Sequence, residues 1–208
     1  MRIVKLEKIS GKKDTFKVFF DDGGNILLAA DIIVRFGLNA GVEISDETYK
    51  EVVSADKTYR VIFDALTLAG RRSYSQKALY EKLLQKGYDD ENSKAAVQRL
   101  KELDYINDEK YALAYAKYLS DKGKAELIAR KELEEKGISK DLINKTLLSL
   151  KTQEEPYKQI LKTIQIKFKS FNADDRAQVR RMANYFLRRG FLSEDISKAL
   201  RRYADDDI

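Results

Sequence analysis

The sequence predicts a mainly α-helical protein built from three tandem three-helix units, preceded by a small antiparallel β-rich module. Three observations support this fold class. A short phrase centred on a glycine occurs three times, and each copy is followed by a helical stripe of apolar residues. Only one of the 208 residues is a proline, which favours helix. The first 45 residues instead show the alternation and turn residues that are typical of strands.

The repeated phrase occupies residues 83–88, 133–138 and 186–191, and its glycines are 50 and 53 residues apart. Each copy has an apolar residue four positions before the glycine, a basic residue directly before it and an apolar residue directly after it. A helix that ends at a left-handed residue favours this pattern, because only glycine enters that conformation without a steric penalty. We therefore expect the phrase to close the middle helix of each unit.

The β-rich module is expected to span residues 1–45. Residues 2–10 alternate in polarity, residues 15–20 are aromatic and β-branched, and an Asp-Asp-Gly-Gly-Asn turn at 21–25 precedes a third apolar run. A short helix is predicted at 29–36. A sheet of two or three strands is marginal alone, so we expect it to pack on the helical part.

Unit 1 is placed at residues 46–104. One or two helices are predicted over 47–70, followed by helices at roughly 74–86 and 90–103. Ser73 and Gln76 have the spacing of a capping box, which sets the expected start of the middle helix.

Unit 2 is placed at residues 105–150, with helices predicted at 108–122, 124–136 and 139–150. Gly123 is the expected break between the first two of these helices.

Unit 3 is placed at residues 151–204, with helices predicted at 153–169, 173–189 and 193–203. Pro156 falls in the first turn of the first of them, where a missing N–H costs little. An acidic tail follows at 205–208.

Apolar residues at helical spacing predict the core face of the first helix in each unit. The three sets are Tyr59, Ile62, Phe63 and Leu66; Tyr111, Ala114, Tyr115 and Tyr118; and Tyr157, Ile160, Leu161 and Ile164. Since most aromatic residues fall on such stripes, core packing is the favoured interpretation of the tyrosine and phenylalanine content.

Composition argues against several function classes. The chain has no histidine and no cysteine, which removes the commonest general base and excludes disulfides and zinc–sulfur sites. No apolar run approaches the ~18 residues of a membrane span. Catalysis by carboxylates alone stays open on composition, but the sequence has no Gly-rich phosphate loop, metal-ligand spacing or nucleophile–base pair. We expect a cytoplasmic monomer that is not an enzyme and that has no catalytic residue, metal, cofactor or membrane association.

Positive charge is concentrated toward the C-terminus. The net charge is +6 overall, but it is −1 over residues 1–52 and +8 over residues 158–202. A local excess of this size suits a polyanion or an acidic protein surface, and a solvated helix face is the alternative.

The candidate binding residues are basic, apart from one tyrosine. They are Arg71, Arg72, Tyr74, Lys86, Lys122, Lys124, Arg130, Lys131, Arg176, Arg180, Arg181, Arg188, Arg189, Arg201 and Arg202. In unit 3, Arg181 and Arg188 lie opposite the apolar face of the middle helix, which suits phosphates or carboxylates. Tyr74 could stack on a base or belong to the core. The patch of unit 2 is weakened by neighbouring glutamates.

Four ordered segments resemble the RecX family, the bacterial regulators of the RecA recombinase. They are the Arg-Arg-Ser-Tyr-Ser stretch at 71–75 with the phrase at 86–88, the acidic connector within 100–112, the Gly-Lys pair at 123–124, and the phrase at 188–191. The resemblance covers about residues 55–204, and the β-rich extension is similar to that of longer members. Compared with the family pattern, unit 2 is more acidic at Glu134 and Glu135.

The resemblance implies an elongated, curved array of three units and a non-enzymatic role. It implies binding to RecA and to its filament on single-stranded DNA, with inhibition of ATP hydrolysis and strand exchange. Double-stranded DNA stays open as a further ligand. The alternative is a helix-based DNA-binding protein or transcriptional regulator that acts without recombinase.

Overall fold

The structure is a computed structural model that describes residues 1–11, 14–150 and 155–206. Within these ranges the chain forms three strands and ten helices, so the mainly helical class with a small antiparallel sheet is confirmed. The strands are β1 (Ile3–Lys8), β2 (Thr15–Phe20) and β3 (Asn25–Ala29). The helices are α1 (Ala30–Arg35), α2 (Asp46–Arg71), α3 (Gln76–Gln85), α4 (Asp90–Glu102), α5 (Asp108–Asp121), α6 (Glu126–Glu135), α7 (Lys140–Leu150), α8 (Pro156–Lys167), α9 (Arg176–Leu187) and α10 (Ser193–Asp206).

Contacts divide the chain into two compact units, the first spanning Met1–Ile106 and the second starting at Asn107. The predicted helix start at 153–154 and the end of the acidic tail at 207–208 lie outside the described residues. Residue 205, the first of the predicted tail, continues α10. None of the helices in the described ranges has both the length and the apolar character needed to cross a membrane.

In the first compact unit, the sheet has the order β1-β2-β3 with both pairs antiparallel. Its core side chains Ile3, Val18 and Leu28 are buried together with Val52 of α2. The buried carboxylate of Asp56 on α2 joins the two layers, because it accepts a hydrogen bond from the Ala29 N–H at 2.7 Å. The sheet therefore packs on the helical part, as its small size requires.

Helices α2, α3 and α4 enclose a second core in the same unit. Helix α2 is one continuous helix of 26 residues. The capping box predicted at Ser73 is wrong: Ser75 is the N-cap of α3, and its hydroxyl accepts a hydrogen bond from the Ala78 N–H at 3.2 Å. Ser75 has an extended backbone, with φ of −75° and ψ of 160°, so the helix begins only at Gln76.

The second compact unit contains two cores, one within α5–α7 and one within α8–α10. Ile143 lies at the centre of the first core and Ile160 and Phe186 lie in the second, and all three are fully buried. Pro156 opens α8 at its first turn, which confirms its predicted position.

The three glycines of the repeated phrase have the same local structure. Gly87, Gly137 and Gly190 have φ of 91°, 80° and 85°. In each copy, the residue after the glycine donates its N–H to the carbonyl of the buried apolar residue that lies four positions before the glycine. The donor–acceptor pairs are Tyr88 and Leu83, Ile138 and Leu133, and Phe191 and Phe186. This is the Schellman arrangement, so the helix-closing role of the phrase is confirmed.

Two of the three predicted core stripes are rotated from the true core face. Phe63 and Tyr118 are 54% and 52% exposed. The residues that α2 and α5 bury at these levels are smaller, Val61 and Ala65 on α2 and Ala112, Ala116 and Leu119 on α5. Small side chains allow neighbouring helices to approach closely, so the large aromatic residues lie at the edge of the interface. The third stripe is correct, since Tyr157, Ile160 and Ile164 are buried.

The turn after α9 packs on the start of α6. The Ala125 N–H donates to the Arg189 carbonyl at 2.8 Å, and α6 has no side-chain cap of its own. A Cβ added to Gly190 would lie 2.5 Å from Cγ1 of Ile128. Two features therefore require glycine at position 190: its positive φ, and the close approach of α6, which leaves no room for a Cβ.

Candidate functional site

Helix α9 separates a core face from a basic outer face. Met182 and Phe186 are buried, whereas Arg180, Arg181 and Arg188 are exposed. The carboxylate of Asp175 starts the helix by accepting hydrogen bonds from the first free N–H groups of α9, and the bond from the Gln178 N–H contributes most to holding the pKa of Asp175 below its ordinary value. The helix is thus fixed by its core face and its cap, and the outer face is free for contacts.

The arginines of this outer face and of the turn after it form no salt bridge with the described residues. Among the residues that the structure describes, no carboxylate forms a salt bridge with Arg176, Arg180, Arg181, Arg188 or Arg189. Two of these side chains make contacts within the second compact unit: Arg181 Nε donates to the Ala177 carbonyl at 3.4 Å, and the Arg189 guanidinium lies 3.9 Å from the centre of the Tyr185 ring. Unpaired guanidinium groups on one helix form a surface for phosphates or carboxylates.

The predicted residues of α10 are also exposed. Arg201 Nε donates to the Ser197 carbonyl at 3.4 Å, and the Arg202 guanidinium lies 5.7 Å from the Tyr157 ring centre. Lys198 lies over the same ring at 4.1 Å and forms a salt bridge with Glu155.

In the first compact unit, the predicted hinge residues divide between surface and core. Arg71 and Arg72 are exposed at the end of α2. Tyr74 is only 8% exposed and belongs to the core, so its interpretation as a stacking plane for a base is corrected in favour of core packing. The Arg72 guanidinium covers the ring at 4.4 Å. Lys86 forms a salt bridge with Asp64 at 2.6 Å, which neutralises its charge locally.

The patch predicted in unit 2 is not a continuous cationic surface. Arg130 donates hydrogen bonds to Glu126 and Asn144, at 3.1 and 2.6 Å. Lys124 is half-buried, Lys131 is exposed, and Lys122 lies 5.7 Å from the Tyr118 ring centre. By contrast, α9 and the turn after it carry five arginines that form no salt bridge in the described part of the chain.

The structure adds a cation that the sequence did not single out. Lys167, the last residue of α8, lines one cavity of about 550 Å³ with Arg181 and Arg188. Arg181 and Arg188 are seven residues apart, so the helical period places them on the same side. Lys167 lies on α8, and only the path of the connector between α8 and α9 brings it close to them. A basic residue in the last turn of the preceding helix was the only sequence signal for it.

These features define a tandem three-helix protein with a basic face on one helix of the second compact unit. Models of the first, second and third three-helix domains of RecX match residues 64–100, 107–147 and 153–200. The chain belongs to the RecX family of regulatory proteins.

Known proteins of this family are similar over nearly the whole chain. The Regulatory protein RecX of Caldanaerobacter subterraneus is 30% identical over 203 residues, with 96% of both chains covered. That of Bacillus subtilis is 26% identical, with 97% of this chain and 79% of the relative covered.

Two solved structures have the same fold. A crystal structure of regulatory protein RecX has a TM-score of 0.69 and 20% identity, covering 95% of this chain and 98% of that chain. A crystal structure of RecX from Lactobacillus salivarius has a TM-score of 0.60 and 20% identity, covering 73% and 98%.

Proposed function

We propose that this protein binds the RecA recombinase and its filament on single-stranded DNA and inhibits the recombinase, including its ATP hydrolysis and strand exchange. Membership of a family of regulatory proteins supports a regulatory role. The observation that carries the proposal is the group of arginines on α9 and directly after it, which form no salt bridge in the described part of the chain.

A nucleoprotein filament is a ligand that suits such a group. It presents phosphates along the DNA and carboxylates on the protein, and a guanidinium binds both through paired hydrogen bonds. Much of the affinity for phosphates comes from release of counterions, so binding is expected to weaken as salt rises. Binding without catalysis fits a chain that has no histidine and no cysteine. The proposed setting is the cytoplasm, where such filaments form.

The direct experiment adds the purified protein to RecA filaments already formed on single-stranded DNA while ATP hydrolysis and DNA release are followed. We expect saturable inhibition of ATP hydrolysis. If titration leaves both hydrolysis and DNA release unchanged, the proposed function is wrong. Sequence-specific footprints on duplex DNA that do not respond to recombinase would support the alternative of a DNA-binding regulator.

Charge reversal on α9 tests which surface is responsible. The variant Arg180→Glu/Arg181→Glu/Arg188→Glu is expected to inhibit about tenfold more weakly at moderate salt, with unchanged helix content, because three exposed cations become anions. The matched control is Lys50→Glu/Lys57→Glu/Lys101→Glu, which makes the same change of charge at exposed positions of the first compact unit. Equal inhibition by the two variants would show that net charge, and not the α9 surface, governs binding.

A further inference from the structure

The cavity between α9 and the connector after α8 has an apolar, ring-lined interior. Phe168 and Tyr185 line it with their ring centres 5.0 Å apart, edge to face. Phe171 and Met182 line it as well and are almost fully buried. Its volume of about 550 Å³ lies in the range of pockets that hold small organic ligands.

The rim of the same cavity is cationic. Lys167, Arg181 and Arg188 all line it, and none of the described residues that line it is acidic. Asp175 lies nearby and attracts Arg181 electrostatically, but it forms no salt bridge with it, and its carboxylate accepts hydrogen bonds from the N–H groups of Ala177 and Gln178 and from the Gln178 side-chain amide. The three cations therefore leave the rim with a positive balance. A ring-lined interior under a cationic rim suits an aromatic group that carries an adjacent negative charge.

An unpaired nucleotide has this combination of groups. Its base can lie against Phe168 and Tyr185, while the adjoining phosphates meet the guanidinium groups. Asn184 also lines the cavity, is exposed, and makes no side-chain hydrogen bond with the described residues. Its amide offers one acceptor and two donors to the edge of a base. A run of carboxylates alone would engage the cations equally well but would leave the ring surface uncovered.

We propose that this cavity is a subsite for one unpaired nucleotide of single-stranded DNA, with the base inside and the flanking phosphates on Lys167, Arg181 and Arg188. The proposal rests on the proposed function and specifies how the α9 surface recognises the strand. It also explains why two of the α9 arginines face a cavity that contains aromatic rings.

The experiment measures direct binding without recombinase, by fluorescence anisotropy of two labelled 20-mers. One is oligothymidylate, and the other has the same phosphates and sugars but no bases. We expect the full-length protein to prefer the strand with bases by at least about fivefold, since stacking of one base is worth about that factor or more. Equal affinity for the two strands would overturn the proposal.

Two variants separate the base from the phosphates. Phe168→Leu retains apolar volume but removes the ring, so it should abolish the preference and leave affinity for the abasic strand unchanged. Arg181→Ala/Arg188→Ala should lower the affinity for both strands. It should also reduce the steepness of log affinity against log salt by about one to two, because two phosphate contacts are lost. The matched control Lys50→Ala/Lys57→Ala removes the same charge from exposed positions of the first compact unit and should alter neither strand's affinity by more than about twofold.

Persistence of the base preference in Phe168→Leu, or a drop in the affinity of the control variant equal to that of Arg181→Ala/Arg188→Ala, would overturn the proposal. A second test uses a peptide of alternating glutamate and phenylalanine. If Phe168→Leu weakens binding of this peptide but not of oligothymidylate, the cavity is a protein-docking site and the proposal is wrong. If the natural protein inhibits recombinase ATP hydrolysis but shows no base preference, the subsite alone is rejected and the proposed function stays intact.

Discussion

A single serine illustrates how the repeated units differ at the level of the residue. Ser93 lies six positions after Gly87, and the residues six positions after Gly137 and Gly190 are the buried isoleucines Ile143 and Ile196. Ser93 is fully buried, and its hydroxyl has no hydrogen-bond partner among the described residues. A buried hydroxyl without a partner destabilises the folded state, because it loses its bonds to water without replacement.

Replacement of this hydroxyl should therefore stabilise the protein. We expect Ser93→Ala to raise the free energy of unfolding by about 1 kcal/mol, measured by urea denaturation. The control is Ser120→Ala, which removes a hydroxyl from the exposed surface of α5 and should change the free energy of unfolding by less than about 0.5 kcal/mol. A loss of stability in Ser93→Ala would mean that the hydroxyl is hydrogen-bonded in solution.

At the scale of the element, the helix-closing glycines have unequal surroundings. A Cβ on Gly87 would meet nothing within 4 Å, whereas one on Gly190 would collide with Ile128. Gly87→Ala should lower the free energy of unfolding by about 1–2 kcal/mol, because alanine is strained in the left-handed backbone conformation. Gly190→Ala should lower it by about 1–3 kcal/mol more, because its Cβ also collides with Ile128. Equilibrium unfolding measures both. Addition of Ile128→Ala should recover part of the excess only in Gly190→Ala, and absence of that recovery would contradict the packing argument.

Two capping carboxylates make the stability of the protein depend on pH. Hydrogen bonds from the backbone N–H groups of Asn92 and Gln178 lower the pKa of the capping carboxylates of Asp89 and Asp175 below the ordinary value of 3.8. Because the pKa is lower in the folded state than in the unfolded state, the ionised carboxylates stabilise the fold above pH 3.8, and this stabilisation is lost as pH falls below that value and the carboxyls become protonated.

The expected result is a steeper loss of thermal stability below about pH 4 in the natural protein than in Asp89→Asn/Asp175→Asn. Asparagine caps a helix without titrating, so the variant isolates the ionisation. Thermal unfolding at a series of pH values from neutral to about pH 3 makes the comparison. Parallel pH profiles for the two proteins would exclude the caps as the source of acid sensitivity.

The sequence predicted the type and order of the helices because their ends carry strong local signals. The glycine phrase, Pro156 and Gly123 all fall where the pattern indicates. The core face of α2 and α5 was missed, because alanine and valine at the contact carry little weight beside larger tyrosine and phenylalanine. Ser73 and Ser75 are equally good caps by type, so residue type alone could not tell that Ser75 caps α3.

The candidate site was predictable only as far as one helix extends. Helical spacing placed Arg181 and Arg188 together, and the structure brings both to one cavity. Helical spacing also placed them opposite Met182 and Phe186, which are buried, but Met182 lines the same cavity as the arginines. It could not place Phe168, because that residue reaches the cavity through a connector whose conformation depends on tertiary contacts. Ion pairs such as that of Lys86 with Asp64 are equally beyond local pattern, since they join residues from different helices.

At the scale of the whole molecule, each compact unit has its own buried cores. A fragment that starts at Asn107 is therefore expected to fold alone and to retain the binding of single-stranded DNA, because α9 and its cavity lie within it. Circular dichroism and cooperative thermal unfolding test the folding, and anisotropy with labelled oligothymidylate tests the binding. A fragment that folds but does not bind would show that the first compact unit contributes to the site.

The bond from the Ala125 N–H to the Arg189 carbonyl also bears on how the chain is made. Ala125 is the N-cap of α6 and makes no side-chain hydrogen bond there, and its own N–H donates to a carbonyl that the ribosome adds 64 residues later. During synthesis this N–H is bonded to water, and it exchanges that bond for the Arg189 carbonyl only after the third three-helix domain has emerged. A nascent chain arrested before Arg189 therefore lacks one hydrogen bond between the two domains that the finished chain has.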